Sequence, residues 1–249
     1  MNLKGQNILV TGASRGIGKS IASHLLEANA RVGVHYNSSR TEADNVKLKY
    51  SKAETFQANL SKSDEVELLF KRAIEQLGKL DTIVLNAGIF LPRSTEGTTE
   101  DWLDNWRLTM AINLESAGLL TKLGIEYFKK QGGGRFIYIG SRAAFRGETE
   151  EYLAYAASKG GLTSLSRTVA RSFGRYNIKS FVVAPGFTRT EMAEDAIRKY
   201  GETNILSELA LNEITTPEDI APVVVLMCSG QMDHATGSTI DINAGSYIR

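Results

Sequence analysis

Tyr155 and Lys159 stand four residues apart in Tyr155-Ala-Ala-Ser-Lys159, within a stretch whose apolar spacing predicts a helix over about 152–176. Residues at i and i+4 share one helix face, so phenol and ammonium lie a turn apart. A phenol with an ordinary pKa of ~10 is a poor proton donor–acceptor at neutral pH unless its anion is stabilised. A neighbouring cation does this, each unit of lowering corresponding to ~1.4 kcal/mol. Tyr152 competes for the role, but position 156 is Ala where its lysine would have to be. Ser141 follows the apolar run Phe136–Ile139, and parallel-sheet enzymes place ligand-facing groups at such strand ends. Its hydroxyl is therefore a candidate for holding a carbonyl. Each residue alone has a plainer reading: Tyr155 and Lys159 as a surface pair, Ser141 as a cap.

The second chemical signal is Thr11-Gly12-Ala13-Ser14-Arg15-Gly16-Ile17-Gly18, between a predicted strand and a predicted helix. A phosphate-binding turn needs glycines to bend sharply, to let an anion approach the backbone, and to let helix and strand pack. The helix N-terminus then offers unpaired amides and a positive dipole end. Ala13 to Gly18-Lys19-Ser20 also mimics a nucleoside-triphosphatase loop. That loop needs a partner strand ending in a magnesium-binding aspartate, and Thr82-Ile-Val-Leu85 ends in Asn86.

The elements that must position these groups follow one rhythm. Strands are predicted at Ile8–Thr11, Arg31–Tyr36, Glu54–Ala58, Thr82–Leu85, Arg135–Ile139, Lys179–Val183 and Ser238–Ile242, with helices near 17–29, 41–50, 62–77, 100–130, 152–176 and 217–228. This alternation predicts a single α/β domain over 1–249, a parallel sheet with helices on both faces. Residues 187–215 interrupt the rhythm with two helix-like pieces, Glu191–Tyr200 and Asn204–Leu211, read equally well as a substrate lid or a packed insertion.

Composition narrows the function classes. A hydrophobic content of 42% and a mean hydropathy of −0.18 are those of an ordinary globule. Lys and Arg number 29 against 28 Asp and Glu, giving a net charge of +1, which argues against nucleic acid as a partner. The longest apolar run, Val223–Cys228, is far short of the ~20 residues of a membrane span. One cysteine, Cys228, allows no internal disulfide, and a strand from Asn7 leaves no room for a signal peptide. A cytoplasmic location is expected. His24, His35 and His234 lie far apart with no ligand pattern, so no metal is expected.

Six motifs in order make the chain resemble the short-chain dehydrogenases/reductases along nearly its whole length. They are the Thr11–Gly18 turn, Asn86-Ala87-Gly88, Asn113 in Ala111-Ile-Asn-Leu114, Ser141, Tyr155-x-x-x-Lys159 and Pro185-Gly186-x-x-x-Thr190. The 3-oxoacyl-carrier-protein reductases and glucose-dehydrogenase-like members look nearest. The resemblance implies a doubly wound Rossmann-type fold with strand order 3-2-1-4-5-6-7. It implies a Ser141–Tyr155–Lys159 site interconverting a carbonyl and a secondary alcohol by hydride transfer, possible substrates being 3-oxoacyl thioesters, sugars and other small alcohols. Lys159 would also hold the nicotinamide ribose, and Asn113 would support a water relay. Asn59 would meet the adenine, Asn86 and Gly88 would line the cofactor, Pro185, Gly186 and Thr190 would edge the nicotinamide, and Leu60, Ala87 and Thr188 would add cofactor contacts. Departures are Asn59 where many members have Asp, Leu85 before Asn86, and Asn212-Glu213 in a stretch often rich in Gly and Arg. A homotetramer is the implied assembly. An acyl carrier protein is also an implied partner, since Lys130 and Arg175 partly match its docking residues.

Cofactor choice is read from the second strand. An acid about 20 residues past the glycine turn binds the ribose hydroxyls of NAD and repels the 2′-phosphate of NADP. Here Tyr36 stands at that position, followed by Asn37, Ser38, Ser39 and Arg40, with no carboxylate. Neutral donors there and Arg15 in the turn favour NADP(H), with NAD(H) as a second cofactor. Arg93, Arg142, Phe145, Arg146, Tyr152 and Phe187 flank the motifs as pocket-wall candidates.

Overall fold

The computed structural model describes the backbone of residues 1–249 and every side chain except those of Met192, Asp195, Ala196, Lys199 and Tyr200. Seven strands form one sheet: β1 (Asn7–Val10), β2 (Arg31–Tyr36), β3 (Ala53–Gln57), β4 (Thr82–Leu85), β5 (Gly134–Ile139), β6 (Ile178–Pro185) and β7 (Thr239–Ile242). Their order is β3-β2-β1-β4-β5-β6-β7, with every pairing parallel. The order reverses between β1 and β4, and a crevice opens there beyond the strand ends.

Each central strand sends alternate side chains to opposite faces. Val10, Val84 and Ile137 pack with α1 (Gly16–Glu27), α2 (Arg40–Lys49) and the last long helix on one side. Leu9, Ile83 and Phe136 pack with α3 (Ser63–Leu77) and the helices after β4 and β5 on the other. Both faces are buried, each buried Ile, Leu or Phe side chain stabilising the fold by roughly 1.5–3 kcal/mol.

The stretch expected as one helix over 100–130 is two, α4 (Thr99–Met110) and α5 (Ser116–Gln131), joined by a π turn over Ala111–Glu115. Apolar periodicity cannot register one surplus residue inside a continuous helix, which is why the break was not expected. Beyond β5 comes a short helix that periodicity also misses, α6 (Ala143–Arg146), too brief to show a repeat. Then follows α7 (Leu153–Phe173), which carries Tyr155 and Lys159. Gly161 of α7 lies against Leu114 of the π turn; a Cβ there would stand 2.7 Å from the Leu114 side chain. The 187–215 stretch holds α8 (Glu191–Tyr200) and α9 (Glu202–Ser207), the second ending earlier than the expected Leu211. Last comes α10 (Pro217–Cys228), started by a capping box between Thr216 and Asp219. Among the described residues no helix is long and apolar enough to cross a membrane, and no group of His, Cys, Asp and Glu could hold a metal ion.

Candidate active site

The glycine turn is closed from three sides. Gly12 takes φ +62° and Gly16 φ +52°, conformations that favour glycine. Asn86, at the end of β4, donates from Nδ2 to the carbonyls of Thr11 (2.8 Å) and Gly12 (3.0 Å), while Thr11 Oγ1 accepts the amides of Asn86 and Ala87. Gly18 has no room for more: a Cβ would lie 2.2 Å from the Gly12 carbonyl oxygen. From β2, His35 accepts the Gly12 amide at Nδ1 (2.9 Å), which leaves Nε2–H to donate to Ala58 (3.0 Å). Burial pushes the His35 imidazole down to about 4, the bond to Ala58 pulling the other way. A neutral ring therefore ties the turn to the end of β3. Beyond its exclusion as a metal ligand, the sequence marks His35 only by its place near the end of β2, beside the turn.

Helix α1 begins in this turn with no side-chain cap and no acid in its first turn. By contrast α10 carries a complete capping box. Uncapped amides at a positive dipole end are a seat for an anion. The fit to a dinucleotide follows from the cleft, about 650 Å³, that runs from the turn across the strand ends. Its walls include Gly12, Ser14, Arg15, Gly16, Ile17 and Gly18, then Tyr36, Asn37 and Ser38, Asn59 and Leu60, and Asn86, Ala87 and Gly88. Pro185, Gly186, Thr188 and Thr190 form the far wall, with Ser141, Tyr155 and Lys159 between. Asn59 uses its Oδ1 on the amide and hydroxyl of Ser61, starting the path into α3. Arg15 pairs with Glu191 at 3.6 Å, both side chains well exposed. Arg40 turns to Asp44 on its own helix and is not part of the cleft wall.

Asn113 lies behind that wall instead of on it. Its Oδ1 accepts the amide of Ile89 (2.8 Å), and its Nδ2 donates to the Ile89 carbonyl (3.0 Å) and Ser158 Oγ (3.1 Å). Ser158 in turn donates to the Tyr155 carbonyl (2.7 Å). The π turn thus aligns both the Asn86–Ile89 segment and the first turn of α7.

At the reaction end, Ser141 Oγ accepts the amide of Ala143 (3.1 Å). Burial pushes the Tyr155 hydroxyl up to about 12, a hydrogen bond with Ser141 opposing this and the Glu148 charge adding to it. The expected lowering by Lys159 is absent from these causes. Lys159 Nζ is 5.7 Å from the Tyr155 ring centre and donates to the Ile139 carbonyl (2.8 Å). Its own burial brings it down to about 8. Desolvation thus outweighs the pull between the two groups. Phe90 stacks on Tyr152 (3.8 Å) and meets Tyr155 edge-on (4.7 Å), making an apolar wall.

Of the wall candidates, Arg142, Arg146, Tyr152 and Phe187 line the cleft, while Arg93 and Phe145 do not. Phe145 is held between Arg167 and Arg249. Glu148, Glu191, Ile205 and Glu208 line it without having been singled out, since nothing local in sequence marks them.

Residues 12–246 match the family model described as enoyl-(acyl carrier protein) reductase. The chain is 32% identical to a 3-oxoacyl-[acyl-carrier-protein] reductase FabG of Staphylococcus aureus, with 98% of each chain covered. It is also 32% identical to an uncharacterized oxidoreductase of Thermotoga maritima, with 99% of each covered. Among solved structures it resembles a 7α-hydroxysteroid dehydrogenase complexed with NADH and 7-oxo glycochenodeoxycholic acid. There the TM-score is 0.91 at 28% identity, covering 98% of this chain and 95% of that one. A short chain dehydrogenase from Burkholderia cenocepacia in complex with NADP gives 0.89 at 29% identity, covering 99% of each.

Proposed function

Since the chain belongs to the short-chain dehydrogenase/reductase family, we propose that it is an NADP(H)-dependent oxidoreductase interconverting a ketone and a secondary alcohol through Ser141, Tyr155 and Lys159. The observation that carries this is their meeting in one cleft with an uncapped glycine turn. When bound, the nicotinamide supplies hydride in reduction and accepts it in oxidation. Ser141 Oγ receives the Ala143 amide, so its own hydrogen is the one it shares with Tyr155 and can turn to a substrate oxygen. Tyr155, pushed up to about 12, holds its proton at neutral pH, the form that protonates a carbonyl oxygen during reduction. Lys159 below its pKa of about 8 is a cation beside that phenol and balances negative charge formed there. Asn113 keeps the tyrosine's turn in place through Ser158.

NADP(H) is favoured over NAD(H) by the lack of a carboxylate at the end of β2, where Tyr36, Asn37 and Ser38 form the cleft wall. A solved relative holds NADP and another holds NADH, so NAD(H) stays a second cofactor. To the same proposal belong a cytoplasmic location, a homotetramer, and a role for 187–215 as the outer cover of the substrate end. An acyl carrier protein as partner rests on Lys130 and Arg175. The direct test follows NADPH absorbance with 3-oxoacyl thioesters, sugars and small ketones or alcohols, run in both directions. Turnover with NADPH is expected. Failure of every substrate with both cofactors would refute the assignment.

A further inference from the structure

Resting on that oxidoreductase reading, we propose that Arg142 forms a subsite for a carboxylate on the substrate, so that the ketone or alcohol handled here is also an acid. Arg142 follows Ser141 directly and lines the same cleft. Its backbone amide donates to the carbonyl of Pro185 (3.0 Å), anchoring it to the end of β6. Its side chain is only 8% exposed. Nη1 is buried and has no hydrogen-bond partner among the described residues.

A guanidinium cannot escape burial by shedding its proton at physiological pH. A buried charged donor without an acceptor is costly, and a missing acceptor is what a ligand supplies. Burial and the charge of Arg146 both act against the ionised Arg142, while Glu148 and Glu208 support it. The nearest support is loose. Glu208 Oε2 stands 3.6 Å from Arg142 Nη2 and 3.3 Å from Arg146 Nη1, and its side chain is 57% exposed.

The same contacts show what fits. One carboxylate already spans the two guanidinium groups, from a residue just past α9. A planar carboxylate matches the arginine fork, which presents parallel donors. A dianionic phosphate would meet the charges of Glu148 and Glu208 at the same wall, so a monoanion is favoured. A neutral acyl chain would leave Nη2 with only the loose Glu208 contact. Ser141 and Arg142 line one cleft, so acid and reacting carbonyl belong to one molecule.

Two pairs of probes test this with NADPH: acetoacetate against methyl acetoacetate, and levulinate against methyl levulinate. Each is assayed with the wild-type chain, Arg142→Gln, Arg142→Lys and Glu208→Gln. The wild type should favour each acid over its ester by about 100-fold in kcat/KM, chiefly through KM. Arg142→Gln should erase that ratio, Arg142→Lys should restore part of it, and Glu208→Gln, which removes a competing carboxylate, should lower KM for the acids. The acids should also raise the melting temperature of the NADP⁺-loaded wild type more than the esters do, so binding is read apart from turnover. Equal use of acids and esters, or equal losses on both in Arg142→Gln and Glu208→Gln, would make the arginine a brace for Glu208 and overturn the proposal. So would the lack of any acid that is reduced or protects the loaded chain, although bound NADP⁺ would leave the oxidoreductase reading standing. A chain that takes up no NADPH, judged by cofactor fluorescence, would sink that reading and the subsite with it.

Discussion

Lys159 Nζ donates to the carbonyl of Ile139, 2.8 Å away, so the lysine of α7 is moored to the last residue of β5. That bond holds the ammonium beneath the cleft and fixes which side it can offer to Tyr155. Burial meanwhile brings its pKa down to about 8.

A pH dependence follows. A lowered lysine pKa means the proton is lost as pH rises through about 8, well before lysine's ordinary range. Activity that needs the cation should therefore be nearly full at pH 7, about half at pH 8 and fall about tenfold per unit well above it. Lys159→Arg, which stays charged, should lack this alkaline limb in whatever activity it retains. A flat wild-type profile of kcat/KM from pH 7 to 9.5 would contradict the assignment.

Tyr155→Phe removes the hydroxyl while keeping the ring that meets Phe90 edge-on. Turnover should drop by ~10²–10⁴-fold, as for loss of a positioned acid. NADPH should still raise the melting temperature of the variant, because the glycine turn is untouched. Retention of more than half the activity would refute the role given to Tyr155.

His35 offers a measurable link between acidity and folding. Its folded pKa of about 4 lies below the ~6.5 of an unfolded histidine, so between those values the unfolded chain binds more protons. The stability tied to the neutral ring is fully present above pH 6.5 and is lost on acidification towards pH 4, about 3 kcal/mol in all. His35→Asn should be less stable than wild type at neutral pH, with a gap in urea unfolding free energy that narrows as pH falls from 6.5 to 4.5. A gap that stays constant would show that the imidazole does not titrate this way.

Tyr36→Asp should lower the NADPH/NADH ratio of kcat/KM, since a carboxylate at the end of β2 repels the 2′-phosphate. Measuring both cofactors on both proteins settles it. A wild-type preference for NADH, or an unchanged ratio in the variant, would mean the cofactor is selected elsewhere.

The sheet was legible because most strands are short runs rich in β-branched or aromatic residues between helix patterns, and the motif residues cluster because they stand at strand ends or one helical turn apart. Tyr155, Lys159, Ser141 and the glycine turn could all be found that way. Glu208 and Ile205 could not, because they reach the cleft through the path of a segment whose local sequence does not specify where it packs. Nor could the direction of the Tyr155 shift. One-turn spacing puts a lysine near a phenol, but burial and the competing Ile139 carbonyl are decided by tertiary structure. The bonds of Asn113 to Ile89 and Ser158 were not legible either, because apolar periodicity does not show the surplus residue in its helix.

That π turn has a hereditary consequence. Five residues, Ala111–Glu115, occupy a wider turn than a regular helix would use, the kind of register left by inserting one residue into a helix. Losing any one of them would close the wide turn to a regular helix, keeping the flanking helices roughly in phase but moving Asn113 off the place the wide turn gives it. The amide of Asn113 would no longer meet both Ile89 and Ser158. Single-residue deletions between Met110 and Ser116 should thus yield folded chains that fail at their task, and lineages keeping the activity should keep the length of this segment more strictly than its composition.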